Sequence, residues 1–529
     1  MRKLLLVFVA VCLFAQEKVD LAVVNRIRVE ALERSKIPDL MYNLADLYAP
    51  RVTNSENFRK GGDWAVKQLQ DYGLVNVKKE TWGPFGRGWE YSYYSAHMIE
   101  PQYQPLIGFP LAYAPGTNGA VTAEVIYAPL RNDQDLEQFK GKLKGKIVLY
   151  EATRVPGTPP ETPRIAGLTP AVVQQYTAEM SRTGRYSDED LARIAKAPQP
   201  QPGRQGPPGN FAQMAGFRNK LSKYLADEGV VAAVGCGRVG DSGTVFGTQG
   251  GSYDVKTPTP PPMIVITPEH YNRMARLIEK RVPVKMQLEV RAKIYEDSLD
   301  TFNIVGEIPG GRKQDEAVIL GAHFDTWHGG TGATDNDTGT AAMMEAMRIL
   351  KALDQKMDRT VRICLWAAEE QGLLGSRAYV TAHFADRNDM KLKPEHARMA
   401  AYFNHDNGSG KIRGIYLQGN DMCRPIFEAW LEPFHDLGAT AVSIRNTGGT
   451  DHQSFDAVGL PGFQFIQDPL DYSSRTHHSN MDVLENVKTG DLMQAAAVIA
   501  SFAYHAATRE EMLPRKPLPT PGSGRGPRF

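Results

Sequence analysis

AVILGAHFDTWHGGTGATDNDTGTAAMMEAMRIL, residues 317–350, is the stretch that decides the fold. It opens on an apolar run, Ala317–His323, with no polar alternation, which is the pattern of a strand covered on both faces. A loop rich in Gly, Thr and Asp follows, and then Gly339–Leu353 carries apolar residues at helical spacing. Outward from it, apolar strands at Val361–Ala367, Met399–Phe403, Gly414–Gln418 and Gly462–Ile466 alternate with helical stretches, ending at Leu484–His505. Strands alternating with helices predict an α/β fold, a mostly parallel central sheet sandwiched by helices. In such sheets ligands gather beyond the carboxyl ends of the strands.

Polar residues concentrate there. His323 and Asp325 close the first strand, with Asp335 in the loop beyond. Glu369 and Glu370 follow the second in LWAAEEQG, and Asp406 follows the third in YFNHDNGSG. The last strand leads to YSSRTHHSNMDVLE, with His477, His478 and Asp482. Taken singly, these are ordinary. Glu369–Glu370 alone reads as the solvated start of a helix, Asp335-Asn336-Asp337 as a helix cap, and His477–His478 as surface histidines. His405 reads as a neighbour of Asp406 only, His328 as a loop residue, and Arg475 as a surface charge or a carboxylate binder. Jointly they form a His and carboxylate set without cysteine, expected of catalytic zinc, or of cobalt or manganese. Two such ions about 3.5–4 Å apart need a shared oxygen donor, which an Asp can supply.

The order HFD, GATDN, EE, NHD, HSNMD resembles the secreted zinc exopeptidase family that includes bacterial leucyl aminopeptidases and carboxypeptidase Q (plasma glutamate carboxypeptidase). The resemblance covers about Phe302–Ala507 and, more loosely, the preceding part. It implies a phosphorylase/hydrolase-like sheet and two Zn2+ per chain. His323 and Asp406 would hold one ion, Glu370 and His478 the other, with Asp335 bridging. Glu369 would be the general base, and Asp325 would accept a hydrogen bond from His323. The peptide bond Asp335–Asn336 would be cis. His477 stands where many members carry Tyr; it or Tyr472 would stabilise the oxyanion. Asp451 and His452, in GGTDHQSF, would be scaffold or pocket residues. The resemblance implies exopeptidase action on peptides, as an aminopeptidase or dipeptidase, with a carboxypeptidase as the alternative. A single-zinc glutaminyl cyclase and a non-catalytic receptor-like relative are the rivals from other classes.

The rest of the chain frames this reading. Arg2 and Lys3 before the apolar run Leu4–Phe14 predict a signal peptide over 1–15 and a secreted or periplasmic protein. No later stretch predicts a membrane span. Residues 16–117 read as the N-terminal part of the catalytic domain, helical over Asp20–Tyr72 with breaks at Pro38 and Pro50. Residues 118–284 resemble an inserted β-rich protease-associated domain, with strands at Val121–Tyr127, Lys146–Tyr150, Val230–Cys236 and Pro262–Ile266 and a helix at Pro268–Lys280. A Pro-rich insertion, 155–210, interrupts it, and 513–529 reads as a disordered tail after the catalytic domain, 285–512. Net charge is +1, from 61 Lys+Arg against 60 Asp+Glu, which gives no sign of nucleic-acid binding. Four cysteines without CxxC spacing exclude a disulfide framework and a thiolate zinc site. The sequence sets no oligomeric state, a homodimer being one option.

Overall fold

A computed structural model of the chain describes residues 17–154, 184–199, 211–237, 240 and 242–521. The expected signal peptide and most of the Pro-rich insertion lie outside the described residues. Among the described residues, no helix is long and apolar enough to cross a membrane.

The fold is mixed α/β, with two eight-stranded sheets. The first runs, edge to edge, Val75–Trp82, Thr301–Ile308, Arg359–Trp366, Lys313–His323, Met399–Asn404, Gly462–Gln467, Ile412–Tyr416, Ala441–Ser443. Its four central strands pair in parallel. The margins differ from the expected parallel pattern. Thr301–Ile308 is antiparallel to both its neighbours, and Ile412–Tyr416 is antiparallel to Gly462–Gln467. The chain between Asn404 and Ile412 is too short for the crossover of a dozen or more residues that a parallel return needs.

Both faces are covered, which explains the continuous apolar runs. Val318, Leu320 and Ala322 point into one core with the helices Leu21–Glu33, Thr338–Leu353 and Thr489–Thr508. Ile319, between them, points into the opposite core with Tyr379, Val380 and Phe455. Val361, Ile363 and Leu365 divide from Cys364 and Trp366 in the same way. Cys236, Cys364 and Cys423 are free and buried, as small apolar residues. The parallel register sets His323 opposite Trp366, Gly321 opposite Asn404, and Asn404 opposite Gln464. The central strands therefore end level, and their following loops share one edge.

The second sheet begins earlier and ends later than 118–284. Its longest strands, Gly88–Glu100 and Lys285–Tyr295, form an antiparallel ribbon, and Gly108–Pro110 closes its far edge. The alternation in KMQLEVRAKIY is plain: Met286, Leu288 and Val290 are buried while Lys285 and Gln287 are exposed. Two N-terminal and C-terminal expectations also change. Pro38 lies in the first turn of the helix Ile37–Met41, where its missing N–H costs nothing, so it starts a helix and does not break one. At the other end, 513–521 has no regular element, yet it is tied to the core and is not a free tail. Leu513 is buried, and Asn420 Nδ2 donates to Pro514 O at 2.7 Å. Arg515 Nη2 donates to Met399 O at 2.6 Å, and Lys516 Nζ to Gln418 O at 2.7 Å.

Candidate active site

His323 ends its strand, and Asp335 sits in the irregular turn Ala333–Asp337 that precedes the helix Thr338–Leu353. Asp335–Asn336 is a cis peptide, as the resemblance implied. Glu369, Glu370 and Asp406 occupy the loops beyond Trp366 and Asn404, and His477 and His478 follow the turn Tyr472–Thr476. These loops converge. His323 Nε2 lies 3.3 Å from Asp335 Oδ1, 3.4 Å from Asp406 Oδ1 and 4.0 Å from Glu369 Oε2. His478 Nε2 lies 3.1 Å from Asp335 Oδ2 and 3.0 Å from Glu370 Oε2. Asp335 thus faces His323 with one oxygen and His478 with the other.

His477 is the outermost member. Its side chain is 42% exposed, and its Nε2 is 3.6 Å from Asp335 Oδ2. Its ring stacks 3.7 Å from that of His478 and 4.8 Å from that of Tyr472. Tyr472 in turn hydrogen-bonds to the Asp335 carboxylate. Both oxyanion candidates therefore border the cluster.

One expected contact is different. His323 Nδ1 donates to the backbone carbonyl of Asp325 at 2.8 Å, while the Asp325 carboxylate is 3.8 Å away. That carboxylate accepts from Glu369 N at 3.1 Å instead. Asp325 so fixes the histidine through its backbone and the glutamate loop through its side chain. The other polar neighbours act on the loops. Thr53 Oγ1 accepts from Ala368 N at 3.0 Å, Asn336 Nδ2 donates to His405 O at 3.0 Å, and Gln464 Nε2 donates to Asp406 O at 3.1 Å. Asp482 Oδ1 accepts from Thr334 N at 2.6 Å and Thr334 Oγ1 at 2.7 Å, pinning the Asp335 turn to the His478 loop. Ala368 and His478 hold φ of 54° and 63°, left-handed backbone that costs strain outside glycine and here aims side chains beside the cluster.

Several of these contributions escape a reading by motif. Thr53 is an isolated threonine far from the motifs in sequence. The second sheet also reaches the site: Gly247 N donates to His478 O at 3.0 Å, and Val245 N to Asn480 Oδ1 at 2.7 Å. Asp451, read as a scaffold or pocket residue, is fully buried. His405 is buried, and neither of its ring nitrogens is hydrogen-bonded among the described residues. His328 is a packed core residue, its Nε2 2.6 Å from Pro110 O among Trp89, Phe109 and Trp327, and takes no part in the cluster.

Burying so many carboxylates has an electrostatic consequence. Burial, with repulsion from Asp335, pushes Glu370 up to about 7 although His478 opposes it. Burial likewise drives Glu369 well above the usual range, against His323 and with Asp406 and Asp451. Asp451 rises to about 7 by burial and the repulsion of Asp406 and Asp325. Burial opposes the charging of the histidines, but the surrounding carboxylates win: His323 is raised well above its ordinary value and His478 to about 10. Hydrogen bonds from both histidines, against burial, hold Asp335 well below the carboxylate range. A buried site with this excess of negative charge is arranged for cations. Its donor atoms agree: Glu370 Oε1 is buried and accepts no hydrogen bond among the described residues, and His323, Asp335 and Glu370 offer ligand atoms within 4.8 Å of one another. Two imidazoles and several carboxylates without thiolate fit zinc.

Comparison with known proteins follows the same line. Residues 303–503 match the model of Peptidase family M28. Carboxypeptidase Q of Mus musculus is 28% identical over 503 residues, covering 95% of this chain and 90% of that protein. The crystal structure of a Peptidase M28 precursor from Shewanella amazonensis superposes with a TM-score of 0.65 at 25% identity, over 94% of this chain and 98% of that one. BSAP, a zinc aminopeptidase from Bacillus subtilis, shares the fold with a TM-score of 0.54 at 19% identity, over 90% and 95% of the two chains. The match of residues 303–503 to the model of Peptidase family M28, with the near full-length likeness to carboxypeptidase Q, identifies the protein as a metallopeptidase, a hydrolase of peptides.

Proposed function

We propose that the chain is an exported exopeptidase that cleaves short peptides near one end with two zinc ions per chain. The observation that carries this reading is the two-sided Asp335, with His323 3.3 Å from Oδ1 and His478 3.1 Å from Oδ2. His323 and Asp406 would hold one ion, Glu370 and His478 the other, and Asp335 would lie between both; BSAP, of the same fold, is a zinc aminopeptidase. When bound, the pair would bring the pKa of water towards neutrality and polarise the scissile carbonyl. Glu369, beside His323 and fixed at its backbone by Asp325, would take the proton of the attacking water and return it to the departing amine nitrogen. His477 Nε2 or the Tyr472 hydroxyl would donate to the developing oxyanion. Asp325, Thr53 and Asp482 would act by holding the loops in register.

The second sheet would serve as the protease-associated module that walls the substrate cleft, a role supported by its contacts to the His478 loop. Export rests on the basic and apolar residues of 1–15. The acidic surroundings of the cluster favour a free substrate ammonium, hence aminopeptidase or dipeptidase action. The near full-length likeness to carboxypeptidase Q favours, as a second reading, cleavage that requires a free carboxylate. Dipeptides blocked at one end decide between them. N-acetylation should abolish turnover under the first reading. Turnover that survives N-acetylation and fails on C-terminal amidation overturns the first and supports the second.

A further inference from the structure

Residues 184–199, the described part of the Pro-rich insertion, form a strap over the margin of the catalytic sheet. Ser187 and Asp190 make a capping box that starts the helix Asp188–Lys196. Leu191 packs with Ala441 and Ile466, and Ser443 Oγ donates to Ile194 O at 2.8 Å. The lead-in is clamped harder. Arg185 Nη1 meets Asp468 Oδ2 at 2.9 Å, and its Nη2 meets Asp491 Oδ2 at 2.8 Å. Tyr186 N donates to Asp468 Oδ1 at 2.9 Å, and Arg413 Nη1 donates to Tyr186 O at 3.1 Å. Asp468 is fully buried, so these bonds fix the Tyr186 backbone from both sides.

Tyr186 stands in the wall of a cavity of about 220 Å3, with Asn407, Tyr416, Thr447, Gln467 and Tyr472. That is space for several waters, or for one substantial side chain. The cavity adjoins the metal-ligand cluster. Asn407 follows Asp406, and the Tyr472 ring lies 4.8 Å from that of His477. Gln467 Nε2 donates to Gly408 O at 2.7 Å, while its Oε1, buried, accepts no hydrogen bond among the described residues. Among the described residues, no Asp, Glu, Lys, Arg or His lines the cavity. Its walls carry phenol rings, amides and hydroxyls, surroundings that suit an uncharged polar or aromatic group. A carboxylate or ammonium would meet no countercharge among those wall residues.

We propose that this cavity is a subsite for a substrate side chain next to the scissile bond, that it takes an uncharged polar or aromatic side chain, and that Tyr186 is its specificity wall, supplied by the insertion. This inference rests on the exopeptidase reading. The test uses the full-length zinc-loaded protein with X-Ala and Ala-X dipeptides, X being Gln, Tyr, Glu or Ala. In one of the two positions, wild-type kcat/KM for Gln should exceed that for Glu by at least tenfold. Tyr186→Ala should cut the Gln/Ala and Tyr/Ala ratios about tenfold, whereas Tyr186→Phe, which keeps the ring, should hold them within about threefold. Should Tyr186→Ala not fold, Tyr416→Leu in the same wall carries the test, with the same fall expected. Selectivity that is unchanged in the alanine or leucine variant, or a wild type that prefers Glu, overturns the inference alone. A wild type that hydrolyses no peptide overturns the exopeptidase reading, and this inference with it.

Discussion

Arg51 lies directly behind the Asp335 turn, and replacing it by Met should be among the costliest single changes in the chain. Both Arg51 and Asp337 side chains are 0% exposed, and Arg51 Nη2 pairs with Asp337 Oδ1. Arg51 Nε also donates to Phe324 O at 2.9 Å and Nη1 to Leu44 O at 2.6 Å, and the guanidinium lies 4.7 Å from the Phe324 ring centroid. Arg51→Met keeps most of the volume but orphans one buried carboxylate and two buried carbonyls. Breaking a buried pair costs about 3–5 kcal/mol, and each orphaned carbonyl about 1–3. The losses overlap, so about 5 kcal/mol is expected, a large part of a typical stability of about 5–15. Arg51→Met/Asp337→Leu leaves only the carbonyls unpaired and should recover about 2 kcal/mol. Urea denaturation of the metal-free proteins, followed by tryptophan fluorescence, measures both. A single variant within about 1 kcal/mol of wild type, or a double variant no more stable than the single, refutes the reasoning.

Two further outcomes are expected. Glu369→Gln should keep both zinc ions and lose about 10²–10⁴-fold in kcat, equivalent to ~3–5 kcal/mol, in steady-state assays with metal analysis of the same sample; loss of zinc would exchange the roles of Glu369 and Glu370. Glu80, which His383 and Lys78 hold at about 2 against the opposing effect of burial, pairs at 2.7 Å with His383, whose own value Glu80 raises. The Glu80 contribution is present above its unfolded value near 4.5 and is lost as pH falls towards 2. The His383 contribution is present below 6.5 and is lost as pH rises through its raised value. Glu80→Gln should therefore destabilise most near pH 5.5, by ~1 kcal/mol for this partly exposed pair. Denaturation midpoints at pH 5.5 and 9 check it; a larger loss at pH 9 contradicts it.

The central sheet was legible because strands covered on both faces leave unbroken apolar runs, and Val318 to Ala322 alternate between two cores without showing it in polarity. Its antiparallel margins were not, because strand direction is set by connection length and neighbours. The strand Lys285–Tyr295 was legible in its alternation but was obscured by the domain boundary drawn at 284/285. The site residues could be read because each ligand-type side chain lies at or beyond the carboxyl end of a central strand. Their supports could not: Thr53, Val245 and Gly247 come from other layers and bind through hydroxyl or backbone atoms that leave no mark on the sequence. Asp325 shows the same limit. Its place in HFD says it is near His323, but only coordinates show its carboxylate turned to Glu369 N.

The measurement that bears most directly on this account is zinc stoichiometry by elemental analysis after stripping and re-titration, on wild type and Asp335→Ala. Wild type should take up two zinc ions per chain, and the variant should lose affinity at both positions together, because under the proposed function one carboxylate would serve both. A wild type that saturates at one zinc, or a variant that still binds two as tightly, contradicts it.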